Sequence, residues 1–243
     1  MYIYPDTNDT LITSFINEYE IEEGYWKRSE DYIIRLMKKY IKDYIPSSNR
    51  VLMDAGCGIG RLIPVFEKMF SKIYAVEPDN KRFLDTKKTL DLFQLNSKVE
   101  CINTPIREVT TNQKFDIIIC SHVIQHIPIS EVETTIKKFN KLIAEDGILF
   151  ILTSYSPYKE DYCTKQYISN SNFISENINE EEFERILNKE TGVLPVRFYT
   201  KTSILRILYE FDFEIIDFKK YHKIKNCKGF RDLLIVARKK RKQ

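Results

Sequence analysis

The chain has 243 residues, 43% hydrophobic and 30% charged, with a net charge of +3. That length fits one α/β domain with decoration and is enough to bury a full core, in a composition ordinary for a soluble globule. The small net charge gives no strong steering toward nucleic acid or an anionic surface.

Five cysteines, at positions 57, 101, 120, 163 and 227, are odd in number and lack C-x-x-C spacing, which points to reduced thiols and a cytoplasmic protein. With three scattered histidines they offer no zinc pattern, so no metal is expected. The opening MYIYPDTNDT has neither the basic start nor the apolar core of a signal peptide. No apolar run approaches the roughly 18 residues a membrane span needs.

Residues 1 to 28 are mixed, with a short helix expected at Leu11 to Glu20. A helix from Ser29 to about Ile45 is clearer. Ser29 can cap it, Glu30 and Asp31 suit its positive end, and Ile33, Leu36, Met37, Tyr40, Ile41 and Tyr44 recur at helical spacing before Pro46 closes it. Val51 to Ala55 then reads as a strand, Gly56, Gly58 and Gly60 as a tight turn, and Arg61 to Phe70 as an amphipathic helix. Lys72 to Val76 is the second strand, and Asp79 caps a helix running to about Phe93. Lys98 to Ile102 and the continuously apolar Phe115 to Cys120 are the third and fourth, the latter as expected of a strand buried on both faces. Ser130-Glu-Val-Glu133 reads as a capping box opening a helix that Asp146-Gly147 closes, and Ile148 to Thr153 is the fifth strand. Strict alternation to this point implies a parallel sheet with helices on both faces.

Residues 154 to 193 break the alternation, with a short helix near Glu180 to Leu187, and Leu194 to Tyr199 is extended. An insert after the fifth strand sits where ligand-covering loops belong, so it reads as a cap over an acceptor or as a solvated excursion. Thr202 to Phe211 is a helix, and Phe213 to Phe218 with Leu233 to Ala237 fit an antiparallel closing pair. The basic run Arg238 to Lys242 reads as a solvated terminus ahead of a nucleic-acid anchor.

The glycine turn carries the chemistry. Glycines let the backbone pass close to a ligand, and the following helix start offers free N–H groups. Glu77, at the tip of the next strand, can accept both hydroxyl protons of a ribose, so the ligand carries a nucleoside. The spacing departs from the dinucleotide fingerprint Gly-x-Gly-x-x-Gly, because the third glycine comes one residue early and Arg61 holds its place. Asp54, two residues before the first glycine, suits a positively charged ligand, an ammonium or a sulfonium, rather than a pyrophosphate.

The block Asp54-Ala-Gly-Cys-Gly-Ile-Gly-Arg61, followed by Glu77, resembles the first motif and ribose acid of the class I S-adenosylmethionine-dependent methyltransferases. The resemblance covers about residues 29 to 153 and 200 to 238. It implies a Rossmann-like seven-stranded, mostly parallel sheet with an antiparallel last strand, helices on both faces, an N-terminal helical lid and an insert after strand five. The chain is then a single domain, 1–243: lid 1–46, with Tyr25 and Trp26 as its candidates, cofactor-binding core 47–153, acceptor-capping insert 154–199, and closing helix and strand pair 200–243.

The resemblance further implies S-adenosyl-L-methionine as cofactor, held by Asp54, Gly56, Cys57, Gly58, Gly60, Glu77, Pro78, Thr104, Ser121 and His122. Thr104 stands where family members often place an acid for the adenine amino group, and Arg82 where a long apolar residue often lies under the adenine. Ser121 and His122 would approach the methionine part largely through backbone. His126 is the candidate catalytic residue, either a base suited to neutral pH or a histidine hydrogen-bonded to its own loop. Tyr155, Tyr158 and Tyr199 are candidates to line the acceptor site.

The expected reaction is methyl transfer to an O, N or C nucleophile of a small molecule. The alternatives are a peptide or protein methyltransferase, on a faint likeness at Val123 to Ile127 and Gly24 to Lys27, and a methyltransferase-like binding subunit. Ser121-His122-Val123-Ile124 replaces the tetrad of base-methylating enzymes, which argues against a nucleic-acid partner; a homo-oligomer is left open.

Overall fold

Apolar runs punctuated by glycine, proline and asparagine become strands, and amphipathic segments between them become covering helices. The computed structural model describes residues 25–45, 49–170, 172–189, 192–222 and 231–240. The helix expected at Leu11 to Glu20, the stop at Pro46 and the end of the basic tail lie outside them.

Strands β1 (Val51–Ala55), β2 (Lys72–Val76), β3 (Val99–Ile102), β4 (Phe115–Ser121), β5 (Ile143–Ser154), β9 (Phe213–His222) and β10 (Arg231–Lys239) form a seven-stranded sheet in the order β3-β2-β1-β4-β5-β10-β9. β1 pairs in parallel with β2 and β4, and β10 runs antiparallel to both β5 and β9. The last strand alone is therefore reversed, as the closing pair implied. Chain order reverses between β1 and β4, which opens a crevice at their carboxyl ends, where ligands bind in open α/β sheets.

Alternate residues of each central strand feed two separate cores. One face carries Met53, Ala55, Ile118, Cys120, Leu149 and Ile151 beneath α4 (Ile129–Leu142) and α6 (Lys201–Glu210), through Ile136, Phe139, Ile204 and Leu208. The other carries Leu52, Ile73, Ala75, Ile119, Phe150 and Leu234 beneath α1 (Tyr25–Tyr44), α2 (Ile63–Phe66) and α3 (Asn80–Leu92), through Ile33, Met37, Ile41, Phe66 and Leu90. Each fully buried Leu, Ile or Phe contributes roughly 1.5–3 kcal/mol, so this two-sided burial dominates stability.

Helix boundaries depart from the local signals in four places. α1 begins at Tyr25, so Ser29 lies inside the helix rather than capping it. The segment after the glycine turn forms only one α turn, Ile63–Phe66, and then a 3₁₀ turn, Glu67–Met69, with Pro64 pinning the start of the α turn. α4 starts at Ile129 without a side-chain cap from Ser130; Glu184 of α5 (Glu180–Lys189) instead accepts from the Ile129 N–H at 2.8 Å.

Gly147 does not close α4, which ends at Leu142; it lies inside β5 beside the register shift opposite Phe115. A Cβ there would fall 2.7 Å from Ile143 Cγ1 and 2.8 Å from the Phe115 carbonyl oxygen. The glycine serves a close strand approach.

The insert contains the expected helix, α5, and the expected extended segment, β8 (Leu194–Phe198). It also contains a hairpin that periodicity did not reveal. β6 (Tyr162–Ser169) and β7 (Asn172–Ile178) pair antiparallel, and β8 adds to β6 in a second sheet. α5 packs Phe183 and Leu187 against Cys163 of β6. A parallel bridge between Tyr155 and Tyr199 joins this sheet to the end of β5, with Ser156 N donating to Tyr199 O at 2.8 Å and Tyr199 N to Ser154 O at 3.0 Å.

Candidate functional site

The carboxyl ends of β1, β2 and β4 meet at the glycine turn. Gly56 and Gly58 take φ of +77° and +60°, a region that side chains disfavour. Gly56 and Cys57 both donate their N–H groups to Val76 O, at 2.8 and 3.0 Å, which holds the turn against β2. A Cβ on Gly56 would lie 2.4 Å from Val123 Cγ2, so this glycine lets the turn after β4 pack close. A Cβ on Gly58 would meet nothing within 4 Å. That open side of the loop is the space a ligand can enter.

Two buried carboxyls flank the loop. Glu77 is 2% exposed; its Oε2 accepts the Gly58 N–H and its Oε1 the Asp79 N–H, each at 2.9 Å. Burial raises its pKa, against the pull of the Asp79 N–H, the Arg82 charge and the Gly58 N–H. Each carboxylate oxygen carries two acceptor positions, so Glu77 can hold the loop and still accept from a ligand. Asp54 is also 2% exposed, and its Oδ2 has no hydrogen-bond partner. Burial pushes Asp54 up to about 7, with Arg61 pulling down and Glu77 pushing up. A buried carboxyl oxygen left unsatisfied costs free energy that a hydrogen-bonding cation would recover.

The remaining expected residues divide. Cys57 lines the turn, but its thiol faces Thr86 Oγ1 at 3.5 Å, and burial drives its pKa well up. Gly60 closes the turn, donating to Cys57 O at 2.9 Å. Pro78 follows Glu77 and is half-buried, as is Thr104 past the end of β3. Ser121 ends β4, and His122 adopts φ +56°, a strained conformation of the kind found at functional sites, with its N–H donating to Leu152 O at 2.8 Å.

His126 is turned toward the insert. Its Nδ1 meets Pro195 O at 2.7 Å and its Nε2 meets Gln125 Nε2 at 3.1 Å. Of the tyrosines, Tyr199 is buried and donates to Ile124 O at 2.9 Å, Tyr155 is buried and accepts from Lys220 Nζ at 2.6 Å, and Tyr158 is 70% exposed.

Several site residues escaped the sequence reading. Thr86 Oγ1 donates to Gly58 O at 2.6 Å and Thr89 Oγ1 to Ile59 O at 2.7 Å, two threonines one helical turn apart on α3 that brace the loop from below. Their i, i+3 spacing was the available signal. Asn103 Nδ2 donates to Glu77 O at 2.9 Å, tying the ends of β2 and β3. Gln125 carried no signal beyond its place beside His126.

The profile of the Methyltransferase domain family matches residues 25–217, most of the chain. The chain belongs to the methyltransferase-domain family.

Among similar proteins, the ubiquinone biosynthesis O-methyltransferase of Coxiella burnetii is 29% identical over 121 residues, half of this chain and half of that one. This methyltransferase-family chain thus spans about half the length of these ubiquinone biosynthesis relatives. Two solved structures share its fold. A 1,6-didemethyltoxoflavin-N1-methyltransferase of Burkholderia thailandensis, crystallised with 1,6-didemethyltoxoflavin and S-adenosylhomocysteine, has a TM-score of 0.64 at 16% identity, covering 95% of this chain and 88% of that one. An S-adenosylmethionine-dependent methyltransferase of Clostridium acetobutylicum has a TM-score of 0.64 at 14% identity, covering 96% and 100%.

Among the described residues no helix is long and apolar enough to cross a membrane, and no group of three or more His, Cys, Asp or Glu could hold a metal ion.

Proposed function

We propose that this chain transfers the methyl group of S-adenosylmethionine to an oxygen, nitrogen or carbon nucleophile of a small-molecule acceptor. The observation that carries the reading is the pair of buried carboxyls flanking an open glycine loop: Glu77 bonded to the Gly58 N–H, and Asp54 with an unsatisfied Oδ2. These residues fit the cofactor. Asp54 would take its ammonium or sulfonium end, Glu77 the ribose hydroxyls, and the open side of Gly58 would admit its close approach. When bound, the cofactor supplies an activated sulfonium methyl for in-line displacement by the acceptor's nucleophile. The chain's own contribution is then mainly positional, worth up to roughly 7–11 kcal/mol in favourable cases.

The strained His122 and neighbouring Ser121 end β4 at the lip between the cofactor and acceptor sides. We assign the 154–199 insert to capping the acceptor. Its β8 is fastened to the turn after β4 through His126, and to the end of β5 through Tyr199. With both ring nitrogens of His126 in hydrogen bonds, we assign it to holding this turn rather than to moving a proton. Relatives named for ubiquinone biosynthesis and for 1,6-didemethyltoxoflavin methylation support a small-molecule acceptor.

The test is calorimetric titration with S-adenosylmethionine and S-adenosylhomocysteine. The wild type is expected to bind both, and Glu77→Ala to bind at least about tenfold more weakly, since a charged hydrogen-bonding group contributes roughly 1.5–3 kcal/mol. A wild type that binds neither would overturn the reading.

A further inference from the structure

A hydrogen-bond chain crosses from the insert to the cofactor side, and its central member is Gln125, which is 4% exposed. It starts at the Pro195 carbonyl of β8, 2.7 Å from His126 Nδ1. A carbonyl only accepts, so Nδ1 carries the proton and Nε2 is the acceptor. Nε2 then receives an N–H from the Gln125 carboxamide at 3.1 Å. This fixes the carboxamide's orientation and leaves its oxygen on the other side. There Oε1 accepts the Ser154 N–H at 2.8 Å and lies 3.4 Å from His122 Nδ1. Ser154 ends β5, and His122 is the left-handed residue that follows β4. One buried side chain thus touches the ends of β4, which flanks the crevice, and of its neighbour β5, and through His126 it reaches the insert.

We propose that Gln125 is a positioning residue that locks His122 and the end of β5 to the capping insert through His126, so that cofactor affinity depends on the insert's being seated. This rests on the methyltransferase reading. The geometry separates two arms. The oxygen arm serves Ser154 and His122, whereas the nitrogen arm serves His126. A Gln125→Glu substitution keeps the first and reverses the second, since a carboxylate cannot donate and His126 must then carry a proton on both nitrogens. A Gln125→Ala substitution removes both.

The probe is S-adenosylhomocysteine binding by calorimetry, read beside thermal melting and nitrogen-edited NMR of the histidine rings, assigned with a His126→Asn variant. In the wild type His126 is expected as the neutral Nδ1–H tautomer, and Gln125→Glu is expected to convert it to imidazolium near neutral pH. Gln125→Ala should lose about tenfold in affinity, and Gln125→Glu should recover to within about threefold of wild type because the oxygen arm survives and the reversed arm still ties His126. Gln125→Ala with wild-type affinity would overturn the proposal, as would a lowered melting temperature with affinity unchanged. If Gln125→Ala does not fold, Gln125→Glu still decides: unchanged ring signals, or a tenfold loss despite the retained oxygen, would also overturn it. A wild type that fails to bind S-adenosylhomocysteine would instead overturn the functional reading on which the inference stands.

Discussion

Asp54 shows how burial changes the titration of an ordinary carboxyl. Its native value of about 7 lies above the ordinary 3.8, so between these pH values the folded chain binds a proton that the unfolded chain has released. The stabilisation this proton brings is full below the ordinary value and is lost as pH rises through about 7. A cation at Oδ2 favours the ionised form, so proton and ligand compete. Affinity for S-adenosylmethionine is therefore expected to fall by about tenfold as pH drops one unit below the Asp54 value. Asp54→Asn should remove that dependence, seen as parallel titrations at two pH values. Without ligand, the same variant should melt higher than wild type above neutral pH. A pH profile identical in wild type and variant would show that the cation is held elsewhere.

The two glycines beside Asp54 are constrained for different reasons. Gly56→Ala puts a methyl into Val123 at positive φ and should cost about 2–3 kcal/mol, measurable by urea unfolding. Gly58→Ala meets no atom, so it should cost only about 1 kcal/mol of strain. It should nevertheless weaken cofactor binding by at least about tenfold, because the methyl fills the space beside the Glu77 contact. Full affinity in Gly58→Ala would place the ligand away from the loop.

An ionic clamp ties the insert to the helix that follows it. Asp161 Oδ1 accepts from Thr200 N at 2.7 Å and from Ser203 Oγ at 2.6 Å, and Oδ2 pairs with Arg197 at 3.2 Å. Thr200 is also the N-cap of α6, so the clamp joins β8 to the helix that follows. The Arg197 side chain is 15% exposed, and its other acid, Glu180, lies 3.6 Å away and is largely in solvent. Removing one partner of a mostly buried pair is costly, and Asp161→Ala is expected to lose about 3 kcal/mol. Hydrogen exchange should rise first in β6, β8 and the start of α6. Uniform loss of protection across the seven-stranded sheet would instead show the insert and core to be one cooperative unit.

The same elements show why local signals misplace boundaries. Ser130 and Glu133 have capping-box spacing, yet Glu184, 55 residues from Ile129 in sequence, does the capping. A cap needs only an acceptor at the helix start, and tertiary contact can deliver one from anywhere.

Across the molecule, what depends on nearest neighbours along the chain was readable from residue order. The alternation of apolar runs with amphipathic segments dictated the parallel core, because β-strands buried on both faces and helices buried on one have different periods. Asp54, the glycine turn and Glu77 announced the buried carboxyls and open loop of the candidate site, because backbone conformation and strand-tip placement there follow from residue type at fixed spacing. The β6–β7 hairpin stayed hidden, since its strands mix polar and apolar residues without period-two alternation and are stabilised by pairing and by α5.

Hidden too were the direction in which His126 points and the hydrogen bonds that Gln125 makes. Both are settled by contacts such as that with Pro195, 69 residues from His126, and a hydrogen bond across such a gap leaves no trace in local spacing. Local chemistry thus set the fold class and the two carboxyls beside the glycine turn. Long-range packing decided what holds the insert to the core, because only folding brings the end of β5, the turn after β4 and strand β8 within hydrogen-bond distance of the linked pair Gln125 and His126.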